Sequence, residues 1–315
     1  MTQRVLIEWA NQKGYRVGFA EISLLDVVKD KLERLRAKAE FAPGFFEANL
    51  GFFKYLEESS IKSPRALLIV AIPRSACILN FELERGSVET TLPPTYVEYR
   101  PLFENVRVEL KNNVLGKNVR IETLQAPLKS LAAYIGLVSY GRNNITYIPE
   151  FGSYFQLAGY ILDVPLIGVA SEMQLVQKLS LCSSCRACIR ACPMGAITED
   201  RFLIHAERCY TLYSESQQPI PASIEPPSPD CLIGCLRCQE TCPANKGLLR
   251  REKAGISFTK EETVALLDDR DIQDRHLNES IYSKFRTLAL TESVPILRRN
   301  FRRVFDIISK NKVKE

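Results

Sequence analysis

Two runs of cysteine carry the chemistry that can be read from this chain. The first is Cys182, Cys185, Cys188 and Cys192, with Pro193 after it; the second is Cys235, Cys238 and Cys242, with Pro243 after it. Cysteines three residues apart let a tight loop wrap three corners of an iron–sulfur cube while its amides point at the sulfurs. The fourth corner must come from elsewhere, and in a C-x2-C-x2-C-x3-C-P run the last cysteine ligates the other run's cluster. On that logic Cys182, Cys185, Cys188 and Cys242 hold one [4Fe-4S] cluster. Cys192, Cys235 and Cys238 hold three corners of a second, whose fourth corner is Cys209 or Cys231. A zinc ribbon or a set of disulfides is the rival, but zinc sites rarely repeat three cysteines at this spacing with Cys-Pro after them.

The bulk of the chain fits a globular metalloprotein. Its 315 residues are enough for about two domains, and 46% hydrophobic with 25% charged residues is ordinary folded composition. The start MTQRVLIEWANQKGYRVGF has neither an apolar h-region nor twin arginines, so a cytoplasmic protein is expected. Clustered thiols suit a reducing compartment, and no apolar run is long enough to span a bilayer. Cys77 reads as a buried structural thiol. The net charge of +5 is compatible with an anionic substrate or cofactor and too small to name one. Neither G-x-G-x-x-G nor a P-loop is present, which leaves nicotinamide and nucleoside triphosphate sites without support.

Around the cysteines the pattern is α+β. Ser23 with Asp26 is expected to open a helix with Leu24, Val28, Leu32 and Leu35 on one stripe. Leu67 to Ile72, closed by Pro73, reads as a central strand. Val106 to Leu110 and Val119 to Ile121 read as further strands around the turn Lys111, Asn112, Asn113. Leu128, Leu131, Ala132 and Ile135 mark a helix stopping at Gly136. Pro219, Pro221, Pro226, Pro227 and Pro229 make an extended loop between the cysteine runs, tied down by the ligands on either side. Thr259 and Glu262 form a capping box. A last helix puts Leu297, Phe301, Val304, Phe305 and Ile308 on one face and Arg298, Arg299, Arg302 and Arg303 away from it, solvated or facing phosphate. The expected division is 1–170, 171–250 and 251–315.

The segment from Gly136 to Leu166, followed by LCSSCRACIRACPMGAI, AERCYTLYSES and GCLRCQETCPANK, resembles the epoxyqueuosine reductase family, relatives of the reductive dehalogenases. The Gly-Ser-aromatic-Phe segment at Gly152 to Phe155, upstream of the first cysteine, makes the likeness specific. It implies a nitroreductase-like cobalamin-binding domain, a bacterial ferredoxin-like double [4Fe-4S] domain and C-terminal helices. It also implies an iron–sulfur and cobalamin-dependent oxidoreductase. Single electrons would pass from an external donor such as ferredoxin or flavodoxin, through both clusters, to a base-off cobalamin. Transfer RNA or a corrinoid protein is the implied macromolecular partner, and no membrane is implied.

Residue by residue, the resemblance favours Cys209 as the fourth ligand of the second cluster. It places the corrinoid against Gly141, Arg142 and Asn143 and against Gly152, Ser153, Tyr154 and Phe155. Cobalt-ligating histidine proteins carry D-x-H-x-x-G; here Asp274, Arg275, His276 ends in Glu279, so His276 is expected on a surface helix and His205 as a neighbour of the clusters. For the proton donor, counting back from Gly136 reaches Glu122, whereas counting three back from Pro127 reaches Leu124. Glu122 is the candidate acid, with Tyr134, Tyr140 and Tyr147 behind it. The other reading is a ferredoxin-like electron carrier or corrinoid-reducing partner with no substrate chemistry of its own.

Overall fold

A computed structural model describes residues 3–166, 174–217, 219–221, 223–228, 230–268 and 272–312. Pro229 and the expected boundary at 170 and 171 lie outside the described residues. The chain begins with α1 (Gln3–Gln12), β1 (Arg16–Glu21), α2 (Leu24–Ala37), α3 (Phe45–Asn49), β2 (Ala66–Pro73), β3 (Ala76–Glu82) and β4 (Ser87–Leu92). It continues with α4 (Tyr99–Asn113), β5 (Ile121–Thr123), α5 (Leu128–Tyr134), β6 (Ser139–Tyr140), β7 (Thr146–Tyr147) and β8 (Phe155–Leu162). The cysteine-bearing part holds α6 (Ala187–Ala191), α7 (Tyr210–Glu215) and α8 (Arg237–Glu240). It is followed by β9 (Arg251–Phe258), α9 (Lys260–Leu267), α10 (Arg275–Thr287) and α11 (Val294–Lys312).

Two compact units emerge, and neither is a continuous stretch of chain. One comprises Met1–Pro73, Arg100–Arg186 and Ile197–Glu207; the other comprises Arg74–Tyr99, Ala187–Ala196 and Arg208–Glu315. They cut across a linear division at 170 and 250.

The first unit is an antiparallel sheet in the order β1-β2-β8-β5, with helices on both faces. The strand β2 shows why. Leu67, Ile69 and Ala71 enter one core with α2 and α5, while Ala66, Leu68, Val70 and Ile72 enter another with α1 and α4. A strand covered on both faces must be apolar at every position, which is why LLIVAI runs without a polar break. Each fully buried Leu, Ile or Val there contributes about 1.5–3 kcal/mol. Tyr160 on β8, fully buried, places its hydroxyl on the Phe103 carbonyl at 2.9 Å.

Three local expectations change. Val106 to Leu110 is part of the helix α4, not a strand. Val106, Val108 and Leu110 alternate, but only Val106 and Leu110, four apart, are buried, and Val108 is 40% exposed. The neighbouring Leu102 and Phe103 extend the same stripe into the core, so the longer window carries the helical period. The next strand is Ile121–Thr123 rather than Val119 to Ile121. At α2, Ser23 has helical backbone and makes no side-chain cap, and the helix is held by burial of Leu24, Leu25 and Val28. By contrast, α5 stops as expected, with Gly136 at φ +73° and the Leu137 N–H on the Ala132 carbonyl at 2.9 Å.

The second unit is built on the sheet β4-β3-β9, antiparallel in its first pair and parallel in its second. Phe81 of β3 stacks on Phe258 of β9 at 4.6 Å and on Phe301 of α11 at 4.1 Å, which pins the last helix to the sheet. His276 lies exposed near the start of α10, with Asp274 capping the helix at the Leu277 N–H, 3.0 Å away. The Thr259 capping box forms as expected: the Glu262 carboxylate accepts from the Thr259 N–H at 2.8 Å and from Ser280 at 2.6 Å, and it pairs with Lys284. Glu262 is 2% exposed, and although its burial works the other way, these donors hold its carboxyl below the usual range.

A group with a depressed folded pKa contributes stability that is present above its unfolded pKa and lost as pH falls through the folded one. Acid unfolding of the second unit should therefore steepen below about pH 4.3, the ordinary Glu value, and Glu262→Gln should flatten that limb. Glu262→Ala leaves Lys284 without its buried partner and should cost about 3 kcal/mol in urea unfolding. A loss below about 0.5 kcal/mol would remove the buried pair from the account.

Candidate functional site

In the first unit the turn between β6 and β7 carries Gly141, Arg142 and Asn143. The Gly141 N–H donates to the Ile145 carbonyl at 2.8 Å, and a Cβ on Gly141 would lie 2.6 Å from Asn143 Oδ1, so no side chain fits. Asn143, 2% exposed, donates to the Tyr147 hydroxyl at 2.9 Å and accepts from the Ile145 N–H at 3.3 Å. Arg142 reaches the Cys182 carbonyl at 2.6 Å with one terminal nitrogen, while its buried Nε has no hydrogen-bond partner. The same turn is laced to the chain that leads into the first cysteine run. The Tyr140 N–H donates to Gln177 O at 2.8 Å, and the Leu179 N–H to Tyr140 O at 2.9 Å. Gly152 has φ +59° and closes a turn with Ile148; Ser153, Tyr154 and Phe155 after it are buried, and Phe155 begins β8.

The Glu122 carboxylate accepts from the Ser59 hydroxyl at 2.8 Å, the Ser60 N–H at 3.2 Å and the Ser60 hydroxyl. Burial acts to raise its pKa, but these donors and the Arg120 charge outweigh it and hold it low. A proton donor needs the opposite shift. Tyr140 and Tyr147 are buried, and Tyr140 is stacked edge-on against Phe202 at 5.4 Å. Burial raises the Tyr140 hydroxyl further above its ordinary value.

Among the described residues, which include all ten cysteines, no two cysteines are joined by a disulfide. The first run divides between the units, with Cys182 and Cys185 in one and Cys188 and Cys192 in the other. Within the second unit, Cys188 lies on α6 and Cys238 on α8, two short helices that pack on each other. Burial first, and then the neighbouring Cys209 and Cys192 sulfurs, push the Cys235 thiol up to about 11. Among the described residues no three or more histidine, cysteine or carboxylate side chains converge as a metal-binding group, so the ligand sets are read from the cysteine spacing. Iron can enter only as the ligand thiols give up protons. Cys231, 3% exposed, lies in a bridge to Thr91 of β4 and donates its thiol hydrogen to the Ile233 carbonyl at 3.1 Å, and burial and then the neighbouring Cys235 sulfur push its thiol up. Cys77, on β3, is half-buried rather than fully buried, with its thiol raised to about 11, chiefly by burial. His205 bonds Glu207 at 3.1 Å.

The arginines of α11 neither face solvent nor stand free for phosphate. Arg298 donates to the Ala265 and Asp268 carbonyls and Arg302 to that of Asp268, which caps the C-terminal end of α9. Arg299 donates to the carbonyls of Tyr213, Ser214 and Ser216 at 2.6–3.2 Å, capping α7, the helix that Cys209 begins. Cationic donors at helix C-termini satisfy orphan carbonyls and meet the negative end of the dipole. Arg303 holds Ile224 O, so the proline-rich loop is tied by this helix and by β4 as well as by its cysteine ends.

Nothing in the residue pattern points to the contact that completes this frame. Ser214, 1% exposed, accepts the Gly234 N–H on its hydroxyl at 2.8 Å and gives its carbonyl to Asn300, itself 2% exposed, at 2.8 Å. Gly234 has φ +73° with Tyr96 against it, so only glycine fits the residue before Cys235.

A family model for a 4Fe-4S double cluster binding domain matches residues 181–245. The chain is thus a double-cluster protein in which that domain accompanies an α+β sheet unit. A curated epoxyqueuosine reductase of Bacillus subtilis (strain 168) is 26% identical over 266 residues, covering 77% of this chain. The chain spans 63% of that relative's length. A solved structure of the Bacillus subtilis epoxyqueuosine reductase, with its catalytic loop swung out of the active site, superposes with a TM-score of 0.67. It is 21% identical and covers 95% of this chain and 80% of that one. A further epoxyqueuosine reductase, crystallised with an epoxyqueuosine-modified tRNA-Tyr stem loop, gives 0.64 at 18% identity, covering 95% and 80%. The chain is similar in sequence to epoxyqueuosine reductases and has their fold. Among the described residues no helix is long and apolar enough to cross a membrane.

Ser214→Ala leaves the Gly234 N–H buried without an acceptor, which costs about 1–3 kcal/mol. Urea unfolding should show that loss, and a midpoint equal to that of the parent would mean the contact contributes nothing.

Proposed function

We propose that this protein is an iron–sulfur oxidoreductase that moves electrons singly through two [4Fe-4S] clusters to a reducible substrate bound at the sheet unit. The observation that carries this is the match of a 4Fe-4S double cluster binding domain to residues 181–245, the stretch that holds both cysteine runs. The second cluster is held by Cys192, Cys209, Cys235 and Cys238, and Cys231 is a structural thiol already engaged with a carbonyl. Cys182, Cys185, Cys188 and Cys242 form the other set, on the cysteine spacing. Two clusters suit a two-electron reduction fed one electron at a time by an external donor such as a ferredoxin or flavodoxin.

The cofactor at the sheet unit is a base-off cobalamin, which would supply a cobalt centre able to collect single electrons for reduction. The turn at Gly141 to Asn143 supports it. Gly141 leaves the backbone bare, Asn143 and Tyr147 brace the turn, and the unpartnered Arg142 Nε is a donor for an amide or phosphate oxygen. Arg142 also holds the Cys182 carbonyl, linking the turn to the first cysteine run. Relatives' names support epoxyqueuosine in tRNA as the substrate class. The protein is placed in the cytoplasm, where thiols stay reduced.

One observation favours a second reading, an electron carrier or corrinoid-reducing partner without substrate chemistry. The matching carboxylate, Glu122, is fully engaged by Ser59 and Ser60 and is held ionised.

Anaerobically reconstituted protein should show two [4Fe-4S] clusters by iron content and paramagnetic resonance. Cys209→Ser should lose one, and Cys231→Ser should keep both; the reverse result would transfer the ligand role to Cys231. Cob(II)alamin should bind and give a base-off resonance spectrum. If it does not bind at micromolar concentration, the electron-carrier reading takes its place. A tRNA substrate should bind with an affinity that falls steeply with added salt.

A further inference from the structure

Arg186 directly follows Cys185, and its guanidinium turns back into the loop that presents the first two cysteines. One terminal nitrogen lies 3.1 Å from the Cys185 carbonyl oxygen, 3.2 Å from that of Ser183 and 3.5 Å from that of Cys182. Its Nε pairs with Glu199, a carboxylate that is largely exposed. The Cys182 carbonyl also accepts from Arg142 at 2.6 Å, so this short stretch takes up two cations. Every residue of this set belongs to the first unit. A planar, permanently charged group that meets three carbonyls of one tight turn does two things. It fixes the turn, and it brings a full positive charge to the negative ends of the peptides beside two thiols. Covalent geometry keeps the sulfur of Cys182 or Cys185 within about 9 Å of the nitrogen that meets its own carbonyl. That is close to one Debye length at physiological salt, about 8 Å, so the charge is felt at both sulfurs.

The geometry points to Arg186 as a positioning residue that raises the reduction potential of the first cluster, the one assigned to Cys182, Cys185, Cys188 and Cys242. Reduction of a [4Fe-4S] cluster adds one electron, and a fixed cation beside two of its ligands favours the state that carries the extra negative charge. Glu199 has the opposite sign and works against Arg186, weakly because water screens it. Arg186 touches no substrate. The proposal rests on the two-cluster reading above, and the choice between Cys209 and Cys231 leaves it unchanged, because neither belongs to this set.

Redox titration of anaerobically reconstituted protein at low ionic strength, with dithionite as reductant and paramagnetic resonance as the readout, tests it. Arg186→Gln should keep the iron of two clusters and lower one midpoint. The reduced-to-oxidised ratio of that cluster at fixed ambient potential should fall at least threefold, about 28 mV at 59 mV per decade for one electron. The signal that moves should be the one altered by Cys182→Ser. Glu199→Gln should move the same midpoint the other way, raising the ratio by about 1.5-fold at a mostly solvated site. Opposite shifts are the mark of charge, since a loop that is merely loosened would shift in the same sense in both variants. Arg186→Lys, which keeps the charge, should stay nearer the parent midpoint than Arg186→Gln. Should the glutamine variant fail to hold the first cluster, the Glu199→Gln and Arg186→Lys midpoints still decide. Midpoints equal to that of the parent in Arg186→Gln and Glu199→Gln, or a fall in Glu199→Gln, would overturn the role of Arg186 alone. A parent protein that takes up fewer than two clusters would overturn the functional reading instead.

Discussion

An iron–sulfur cage tolerates little freedom in the backbone that presents its corners, and in the cysteine-rich unit one buried contact joins three of the segments concerned. The Ser214 hydroxyl receives the Gly234 N–H while its carbonyl receives Asn300. One side chain thereby joins the helix that begins at Cys209, the turn that precedes Cys235 and the last helix of the chain. Such contacts matter because the segments between the ligands are short helices and loops, which cannot hold a shape alone. Proline after Cys192 and Cys242 stiffens the exits, but the spacing between runs is set by tertiary hydrogen bonds.

The C-terminal helix is best understood from the same constraint. Its apolar face enters the core through Leu297, Phe301 and Val304, and its arginines spend their donors on carbonyls at the ends of two other helices. A guanidinium is suited to this, since its planar fork can serve two or three acceptors at once. The helix therefore closes the unit and orders the segment that follows Cys209. In the sheet unit, Arg142 plays a comparable part on a smaller scale by fastening the β6–β7 turn to the Cys182 loop.

Several elements were readable in advance for identifiable reasons. LLIVAI is apolar throughout because both faces of β2 are covered, and Thr259 with Glu262 caps through contacts three residues apart. The stop at Gly136 follows from a positive φ. Other elements were misread where a short window was ambiguous or the deciding partner was distant. Val106, Val108 and Leu110 alternate like a strand, and only the rest of α4 shows the helical period. Ser23 has the composition of a cap without the geometry, and the arginines of α11 looked solvated because their acceptors lie up to 86 residues away.

The sequence by itself determined the iron–sulfur chemistry, because ligand identity and spacing within one loop are local properties that no later fold can alter. It also held the resemblance that names the family. Only the tertiary structure decided that Cys231 is buried with its thiol on the Ile233 carbonyl, and that Glu122 accepts from two serines more than sixty positions upstream. Those outcomes depend on hydrogen bonds between segments distant in sequence, and a chain's order does not reveal which distant groups will meet until the core has brought them together.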